Sequence, residues 1–343
     1  MSQLSPDTAR GRHPSRSAAT IHDVAAAAGV SRQTVTRAMN DLPDISAATK
    51  ARVLAAAGAL HYRPSRFGRG LAVKGSHRTV GLVVNDLTNP YYPEFAAAVL
   101  GAAAQRDWNV LLVDSVHATD RRRQLMDLAQ QVDAMIGYFD IAPGEEREVL
   151  GGMPSVEIDP TVERRSGGVV ELDVAPAVED AVAHLLAHGV RHPWMVEVSD
   201  EGLTSGRGRL VSEAFARAGV PLRLVWTSAT SVDAGRTAVE PLLRADVPCD
   251  AVVAWNDVIA LGVLEACRRH GVDVPGDVRV LGIDGLPLGT WVTPQLSSLA
   301  LDMAAVAGAA IDLAVGLHDG ELSSTTSTVV RRVAHRFVRR ASA

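Results

Sequence analysis

The sequence predicts a small all-α head joined to a larger α/β core built as two lobes. Three short helical segments near the N-terminus predict the head. Two successive series of apolar strands alternating with amphipathic helices predict the core, and such alternation gives parallel sheets with helices on both faces. At 343 residues the chain is long enough for two or three domains, each with a core of its own.

Charge is divided unequally along the chain. Residues 1–78 contain 12 basic residues (Lys and Arg) and 4 acidic residues (Asp and Glu). Residues 79–343 contain 22 basic and 35 acidic residues. A basic head on an acidic body suggests that the head meets a polyanion, although a solvated basic tail would give the same count. No apolar run spans a bilayer, and residues 1–19 lack the apolar stretch of a secretory signal. We therefore expect a cytoplasmic protein, with Cys249 and Cys267 as plain thiols.

The head pattern predicts a helix-turn-helix. Thr20 and Ser31 are placed to cap the first two helices, and Gly29 ends the first because glycine turns without steric cost. The second helix is expected over residues 32–39, and Ser46 opens a third. Apolar residues expected on the third helix are Val53, Leu54, Ala57 and Leu60. Two helices joined by a glycine turn are typical of a helix-turn-helix, although an ordinary three-helix bundle remains an alternative.

In a helix-turn-helix the second helix enters the major groove of DNA, with its N-terminal side chains at the base edges. The side chains so placed are Arg32, Gln33 and, about one turn later, Arg37. Arginine can pair bidentately with guanine and glutamine with adenine, each pair giving about 1–3 kcal/mol of discrimination. Short polar side chains suited to phosphate oxygens accompany them, namely Ser31, Thr34 and Asn40.

The head resembles that of the lactose/galactose repressor family over two stretches, Thr20–Asn40 and Ser46–Pro64. The resemblance implies base reading by Arg32, Gln33 and Arg37 and DNA-backbone contacts by Thr20, Ser31, Thr34 and Asn40. One departure is Thr36, where serine is usual, and it keeps the hydroxyl. Residues 1–19 have no counterpart in the motif, and we expect them to be disordered. The head domain is thus expected over residues 20–62.

Residues 63–78 correspond to the hinge of that family. There the segment is a short helix on operator DNA whose leucine wedges into a minor-groove step, a position that Leu71 matches, and Ser65 falls in the same DNA-contacting segment. Gly68 replaces the usual alanine and Gly70 adds a second glycine, each costing a helix about 1 kcal/mol relative to alanine. We expect a hinge that folds less readily than most, or a flexible basic linker.

The core, residues 79–343, resembles the two-lobed periplasmic sugar-binding-protein fold (type I) used by the same family. Stretches that carry this resemblance are Asn85–Tyr92, Val170–Gly189, Trp255–Gly262, Val274–Asp284 and Thr293–Ser298. By this analogy the chain passes between lobes near residues 173, 300 and 330. The N-lobe is then expected at about 79–173 and 301–330, and the C-lobe at about 174–300 and 331–343.

A small-molecule site is expected in the cleft between the lobes, beyond the carboxyl ends of the strands. Strand ends and positions matching the family's effector contacts give ten candidates: Asn85, Asp86, Tyr91, Tyr92, Asp159, Arg207, Trp255, Asn256, Asp257 and Asp284. Such groups suit a polyhydroxylated ring, so a sugar is expected, with a nucleoside or another metabolite as alternatives. The residues Gly137, Leu210 and Gly285 depart from the family pattern and argue against a lactose-type pocket. Asp257 as a plain helix cap and Trp255 as a core residue also remain open.

Two other classes of protein fit less well. An enzyme is disfavoured because the stretch Gly202–Gly208 lacks the Gly-Lys-Ser/Thr ending of a phosphate loop. His184 and His188 are four residues apart but lack the glutamate of a His-Glu-x-x-His zinc site. A transport-type binding protein would need a signal peptide and would leave residues 20–62 unexplained. We therefore expect a repressor that binds a pseudo-palindromic operator as a homodimer and responds to a small-molecule effector, with no cofactor, metal or membrane.

Overall fold

The computed structural model describes residues 21–39, 45–60, 78–142, 144–162, 164, 166–199, 202–244, 249–322 and 328–343. The chain divides into two compact units, Met1–His77 and Arg78–Ala343, which are described separately. Four residues predicted to contact DNA lie outside the described residues: Thr20, Asn40, Ser65 and Leu71. The N-terminal extension and nearly all of the predicted hinge also lie outside them. Of the described helices, none has the length and apolar character needed to cross a membrane.

The first unit contains the three predicted helices, and their ends follow from local sequence. These helices are α1 (Ile21–Ala28), α2 (Arg32–Met39) and α3 (Ala47–Ala59). Gly29 ends α1 at φ +63°, in the left-handed region that favours glycine. Ser31 Oγ accepts a hydrogen bond from Thr34 N at 3.1 Å, and Ser46 Oγ accepts one from Thr49 N at 3.2 Å. The predicted caps of α2 and α3 are therefore confirmed.

A small apolar core joins the three helices of the head. Val24, Val35 and Val53, one from each helix, are fully buried among alanines. Leu54 and Leu60 were expected on the third helix together with Val53, but α3 ends at Ala59, one residue before Leu60. Leu54 is 46% exposed and Leu60 is 37% exposed. Successive helical residues point about 100° apart, so Leu54 points in a different direction from the buried Val53.

The second unit begins with a six-stranded sheet in which every pairing is parallel. Its strand order is β11-β5-β4-β3-β1-β2. These strands are β1 (Arg78–Val84), β2 (Trp108–Asp114), β3 (Ala134–Gly137), β4 (Ser155–Ile158), β5 (Gly168–Asp173) and β11 (Val329–Ala334). The helices of this lobe are α4 (Tyr91–Ala104), α5 (Arg121–Ala129), α6 (Glu146–Leu150) and α11 (Met303–His318). Leu82 packs against the α4 and α11 side and Val83 against the α5 and α6 side, so helices cover both faces, as predicted.

The second lobe repeats this plan with one antiparallel edge strand. Its strand order is β12-β10-β9-β8-β6-β7, and β12 runs antiparallel to β10. These strands are β6 (Pro193–Val198), β7 (Arg223–Thr227), β8 (Ala251–Ala254), β9 (Arg279–Asp284), β10 (Ser297–Ala300) and β12 (Arg336–Val338). The helices are α7 (Ala175–Ala187), α8 (Gly206–Arg217), α9 (Val232–Arg244) and α10 (Asp257–His270).

The chain passes between the two sheets three times. It leaves the first sheet after Asp173, returns after Ala300 and passes again at His335. The last passage was expected near residue 330, but it lies about five residues later. The reason is that β11, which pairs with β5 in the first sheet, continues to Ala334.

Helices α9 and α10 approach each other through two glycines. A Cβ added at Gly262 would overlap the backbone oxygen of Val232, and one added at Gly235 would overlap that of Ile259. We expect Gly262→Ala to separate these helices and to lower the free energy of unfolding by about 1–3 kcal/mol or more. Gly308→Ala is the matched control, because nothing lies within 4 Å of a Cβ there and alanine favours the α11 helix by about 1 kcal/mol. Denaturant unfolding of both variants checks this. Equal effects would show that the close approach is not required.

Candidate functional site

Helix α2 presents one polar and one apolar face. Arg32, Gln33 and Arg37 are exposed, whereas Val35 and Ala38 are buried in the core of the head. Arg32 Nη1 lies 3.5 Å from His22 Nε2, near the start of α1. The three predicted base-reading side chains thus share the exposed face of a helix whose opposite face is fixed by packing, which is the arrangement that reading a DNA groove requires.

Ser31 and Thr34, both predicted to contact phosphates, lie at the N-terminus of α2. Their hydroxyl oxygens are 2.9 Å apart, and Ser31 Oγ also caps the helix. Both are at the same end of α2 as Arg32 and Gln33, where free backbone N–H groups favour a phosphate. The structure therefore groups five predicted DNA contacts on α2 and its N-terminal cap.

In the core, a cavity of about 720 Å³ lies between the lobes. Its size falls within the range of small-molecule sites in proteins. Seven of the ten predicted effector residues line it: Tyr91, Tyr92, Asp159, Arg207, Trp255, Asn256 and Asp284. The first three belong to the first lobe and the other four to the second, so a molecule in this cavity can touch both lobes.

The first-lobe wall of the cavity is a tyrosine cluster. Tyr91 Oη and Tyr138 Oη are 2.7 Å apart, and the ring of Tyr92 stands edge-on to both other rings, with centroids 5.2 Å and 5.4 Å away. Burial raises the pKa of Tyr91, so its hydroxyl stays protonated. Asp159 completes this wall, and its Oδ1 accepts a hydrogen bond from Leu172 N at 3.3 Å. This wall offers aromatic surface with hydroxyl and carboxylate groups.

The second-lobe wall is built around Arg207 at the start of α8. Its guanidinium carbon lies 5.1 Å from the centroid of the Trp255 ring, and its Nη1 lies 3.3 Å from the backbone oxygen of Trp255. The same Nη1 is 3.5 Å from Asp284 Oδ1. Asp284 ends β9 with φ +112°, a conformation that is strained for a residue with a side chain. Such strain at the edge of a cavity is typical of binding sites.

Asn256 lines the cavity and has a side-chain N–H group without a partner in the described part of the chain. Its Oδ1 caps α10 by accepting from Ile259 N at 2.9 Å, which fixes which side of the amide faces the helix. Its Nδ2 is buried and has no hydrogen-bond partner among the described residues. A buried donor without a partner costs about 1–3 kcal/mol. A ligand oxygen in the cavity would supply the missing acceptor.

Three predicted effector residues do not line the cavity. Asn85 Oδ1 accepts a hydrogen bond from Arg121 Nη2 at 2.8 Å. Asp86 Oδ1 accepts from Thr88 N at 2.8 Å and closes the turn that follows β1. Asp257 is fully buried and accepts hydrogen bonds from Leu286 N and Ser298 Oγ, both at 2.6 Å. Their carboxylate and amide groups thus form hydrogen bonds with neighbouring elements of the same lobe.

Other described residues line the cavity but were not among the ten predicted effector residues. They are Asn89, Tyr138, Pro160, Thr161, Leu172, Val174, Ser205, Gly206, Arg209, Leu210 and Glu213. Tyr138 directly follows β3, so the rule that ligands bind at strand ends could have found it. Arg209 and Glu213 belong to the same helix as Arg207 and could have been found from its spacing, whereas Thr161 comes from a loop without a local signal.

His184 and His188 pack against each other on α7. Their ring centroids are 4.2 Å apart, and His188 Nδ1 lies 2.8 Å from the backbone oxygen of His184. Within the part of the chain that the structure describes, no group of three or more His, Cys, Asp or Glu side chains could hold a metal ion. The two histidines therefore interact with each other and with the end of their own helix.

Asp284 makes the stability of the core depend on pH. Burial raises its pKa to about 7; the Arg207 guanidinium opposes this rise and the Asp257 carboxylate adds to it. Because the unfolded chain ionises this group near pH 4, the contribution of Asp284 to the free energy of unfolding falls as pH rises from about 4 to 7. Asp284→Asn removes this loss. We expect its advantage in free energy of unfolding over wild type to grow between pH 5 and pH 8, measured by urea unfolding. An advantage that shrinks over this range would contradict the assignment.

Comparison with known proteins places both units among regulators. Residues 20–65 match the model of the family described as bacterial regulatory proteins, lacI family, and residues 182–343 match that of a periplasmic binding protein-like domain. The chain is 31% identical over 305 residues to catabolite control protein A of Priestia megaterium, covering 86% of this chain and 91% of that protein.

Two further similarities cover most of the chain or most of the core. The HTH-type transcriptional repressor CytR of Escherichia coli (strain K12) is 30% identical over 293 residues, covering 82% of this chain and 85% of that protein. The crystal structure of a LacI family transcriptional regulator from Arthrobacter sp. FB24 in complex with lactose matches with a TM-score of 0.72 at 34% identity. That match covers 78% of this chain and 99% of the other.

Proposed function

Because this chain belongs to the lacI family of bacterial regulatory proteins, we propose that it is a repressor whose operator binding is controlled by a sugar. Members of this family are DNA-binding transcription regulators with a periplasmic-binding-protein-like effector domain, and they are not enzymes. One observation carries the proposal: the chain combines an exposed Arg32, Gln33 and Arg37 face on α2 with an interlobe cavity of about 720 Å³. The first suits operator DNA and the second suits a small molecule.

The chemistry of the cavity supports a sugar as the effector. A sugar hydroxyl both donates and accepts hydrogen bonds, so one hydroxyl can accept from Asn256 Nδ2 and donate to Asp284. Arg207 adds a donor for a neighbouring oxygen, and the rings of Tyr92 and Trp255 offer apolar faces to the C–H groups of a pyranose. The Arthrobacter relative was solved with lactose, which is consistent with this class of ligand.

The mechanism follows from where the cavity lies. A sugar that contacts Tyr91 in one lobe and Arg207 in the other favours the lobe arrangement in which both contacts form. The passages after Asp173, after Ala300 and at His335 are the places where the lobes can rotate against each other. The change in lobe angle is coupled to operator affinity, and by linkage the operator changes sugar affinity by the same factor.

The remaining parts of the proposal concern organisation. Residues 20–62 form the DNA-binding domain, residues 63–78 the hinge and residues 79–343 the effector core. Two chains form a homodimer, because two identical heads bind the half-sites of a pseudo-palindromic operator. Leu71 enters a minor-groove step at its centre, Ser65 contacts DNA from the same hinge segment, and Thr20 and Asn40 contact the DNA backbone. The protein acts on DNA in the cytoplasm.

Selection of bound sequences from random duplex DNA tests the proposal. We expect enrichment of a palindrome of about 14–20 base pairs, the span of two adjacent half-sites. The selection is done at a fixed salt concentration, once without effector and once with each of five compounds: lactose, cellobiose, glucose, ribose and uridine. These five compounds are called the effector panel. A chain with Arg32, Gln33 and Arg37 all replaced by alanine is the control. Failure to enrich any palindrome under all conditions would overturn the repressor assignment.

A further inference from the structure

A buried carboxylate that the sugar site does not use lies beneath the first turn of α8. Glu197, on β6, has 0% of its surface exposed. Its Oε1 accepts a hydrogen bond from Ser205 Oγ at 3.1 Å, and its Oε2 a longer one from Ser205 N at 3.4 Å. Burial raises the pKa of Glu197, whereas Ser205 and Arg207 oppose this rise. Burying a carboxylate is unfavourable, so its place here needs a reason.

The contact extends from Glu197 through the helix cap. Ser205 Oγ, which donates to Glu197, also accepts from Gly208 N at 3.0 Å and so caps α8. The N-terminus of a helix carries partial positive charge, which favours a carboxylate at this position. Glu197 therefore ties the first turn of α8 to the end of β6.

Residue 208 must be glycine for this contact to exist. A Cβ added at Gly208 would overlap Glu197 Oε1. Gly208 does not have a positive φ, so its backbone conformation would accept alanine. The absence of a side chain at residue 208 is thus explained by the carboxylate beneath it, so the positions of the two residues depend on each other.

Arg207 lies in the helix turn that Glu197 and Gly208 hold in place. It follows the capping Ser205 by two residues and immediately precedes Gly208, while its side chain extends to Asp284 and Trp255 in the cavity. The direction of a side chain in the first turn of a helix is set by the position of that turn. Hydrogen-bonding groups in a binding site must be held within about 0.5 Å of their productive position by the residues around them.

We propose that Glu197 is a positioning residue of the effector site: it fixes the first turn of α8 and thereby the direction in which Arg207 enters the cavity. The proposal rests on the proposed function, because it requires that Arg207 binds the effector. Glu197 itself does not line the cavity. It acts on effector affinity through the first turn of α8, from which Arg207 extends to Asp284.

A double-mutant cycle separates this role from a general effect on folding. The full-length chain is used, and the probe is whichever compound of the effector panel binds wild type most tightly, measured by calorimetry. We expect Glu197→Ala to weaken binding about tenfold and Glu197→Gln, which keeps an acceptor for Ser205 Oγ, to stay within about threefold. In an Arg207→Ala background, Glu197→Ala should cause no further loss. Gly208→Ala should weaken probe binding as much as Glu197→Ala does. The double variant that combines the two should bind the probe no more weakly than either single variant.

A second measurement does not depend on the probe. Amide hydrogen exchange of residues 206–209 in the ligand-free chain should be faster in Glu197→Ala by about tenfold and unchanged in Glu197→Gln. Unchanged exchange in Glu197→Ala, or an undiminished loss of affinity in the Arg207→Ala background, would overturn the positioning role alone. If no panel compound binds wild type, the effector assignment fails and this inference fails with it.

Discussion

Replacing Arg207 with alanine is expected to weaken sugar binding by about 2–4 kcal/mol, a factor of about 30 to 700. The guanidinium is the charged donor of the second-lobe wall, and it lies 3.5 Å from Asp284 Oδ1. Its removal takes away charge-assisted hydrogen bonds to the sugar and leaves the buried Asp284 carboxyl without a cationic neighbour. Titration calorimetry with the tightest-binding compound of the effector panel measures the loss.

The matched control for this prediction is Arg217→Ala. Arg217 lies on the same helix, α8, but its side chain is 57% exposed and pairs with Glu179 instead of lining the cavity. We expect its sugar affinity to equal that of wild type, since exposed ion pairs contribute little. Equal losses in the two variants would mean that the cavity of about 720 Å³ is not where the sugar binds.

The second large effect is expected in the head. Arg37→Ala should lower affinity for the selected operator by about 1–3 kcal/mol, a factor of about 5 to 150, while non-specific DNA affinity changes little. Arg37 is exposed on α2, and the packing of Val35 and Ala38 fixes the face on which it lies. A bidentate contact to guanine explains a loss confined to the specific site. Electrophoretic or fluorescence titration at several salt concentrations measures both affinities.

Arg37→Lys distinguishes the two possible contacts of this side chain. Lysine keeps the charge but lacks the planar fork that pairs with a guanine edge, so the variant should lose nearly as much specific affinity as Arg37→Ala. If Arg37 instead contacts a phosphate, Arg37→Ala should lower the affinity for all DNA sequences equally. The slope of log affinity against log salt concentration should then be smaller by about one in Arg37→Ala. That outcome would remove Arg37 from the base-reading set.

The helix limits of the head could be predicted from sequence because they are decided by local chemistry. Gly29 stops α1 and Ser31 and Ser46 cap the next two helices, each through contacts within four residues. The burial of individual side chains could not be predicted so well. Leu54 is as apolar as Val53 but faces solvent, because burial depends on where the other helices lie.

In the core, strands with continuous apolar runs, such as β1 and β8, could be predicted from sequence. Other elements could not, because their sequences lack a clear helix or strand pattern. Helix α9 contains Pro241, which ordinarily ends a helix, and β12 is a three-residue edge strand. The passage at His335 was expected near residue 330 by analogy with the family, and that analogy did not give the length of β11. Pairing with β5, a long-range contact, fixes its length.

The site was predicted in part because parallel strands end at a common edge. That rule brought Asp284, Asn256 and Asp159 to the cavity, but it also selected Asn85, Asp86 and Asp257, which follow strands equally closely. Only the structure shows that these three side chains form hydrogen bonds with neighbouring residues of their own lobes. Rim residues such as Thr161 depend on loop conformation, which sequence pattern does not encode.

The measurement that tests the account most directly is operator affinity with and without sugar, at fixed salt, for wild type and for Arg207→Ala. We expect one compound of the effector panel to change the operator Kd of wild type by about 5- to 150-fold, the usual range of allosteric coupling. The same compound at the same concentration should leave the operator Kd of Arg207→Ala unchanged. A sugar that binds in the cavity but leaves the operator Kd of wild type unchanged would contradict the central claim, because cavity and head would then not be coupled.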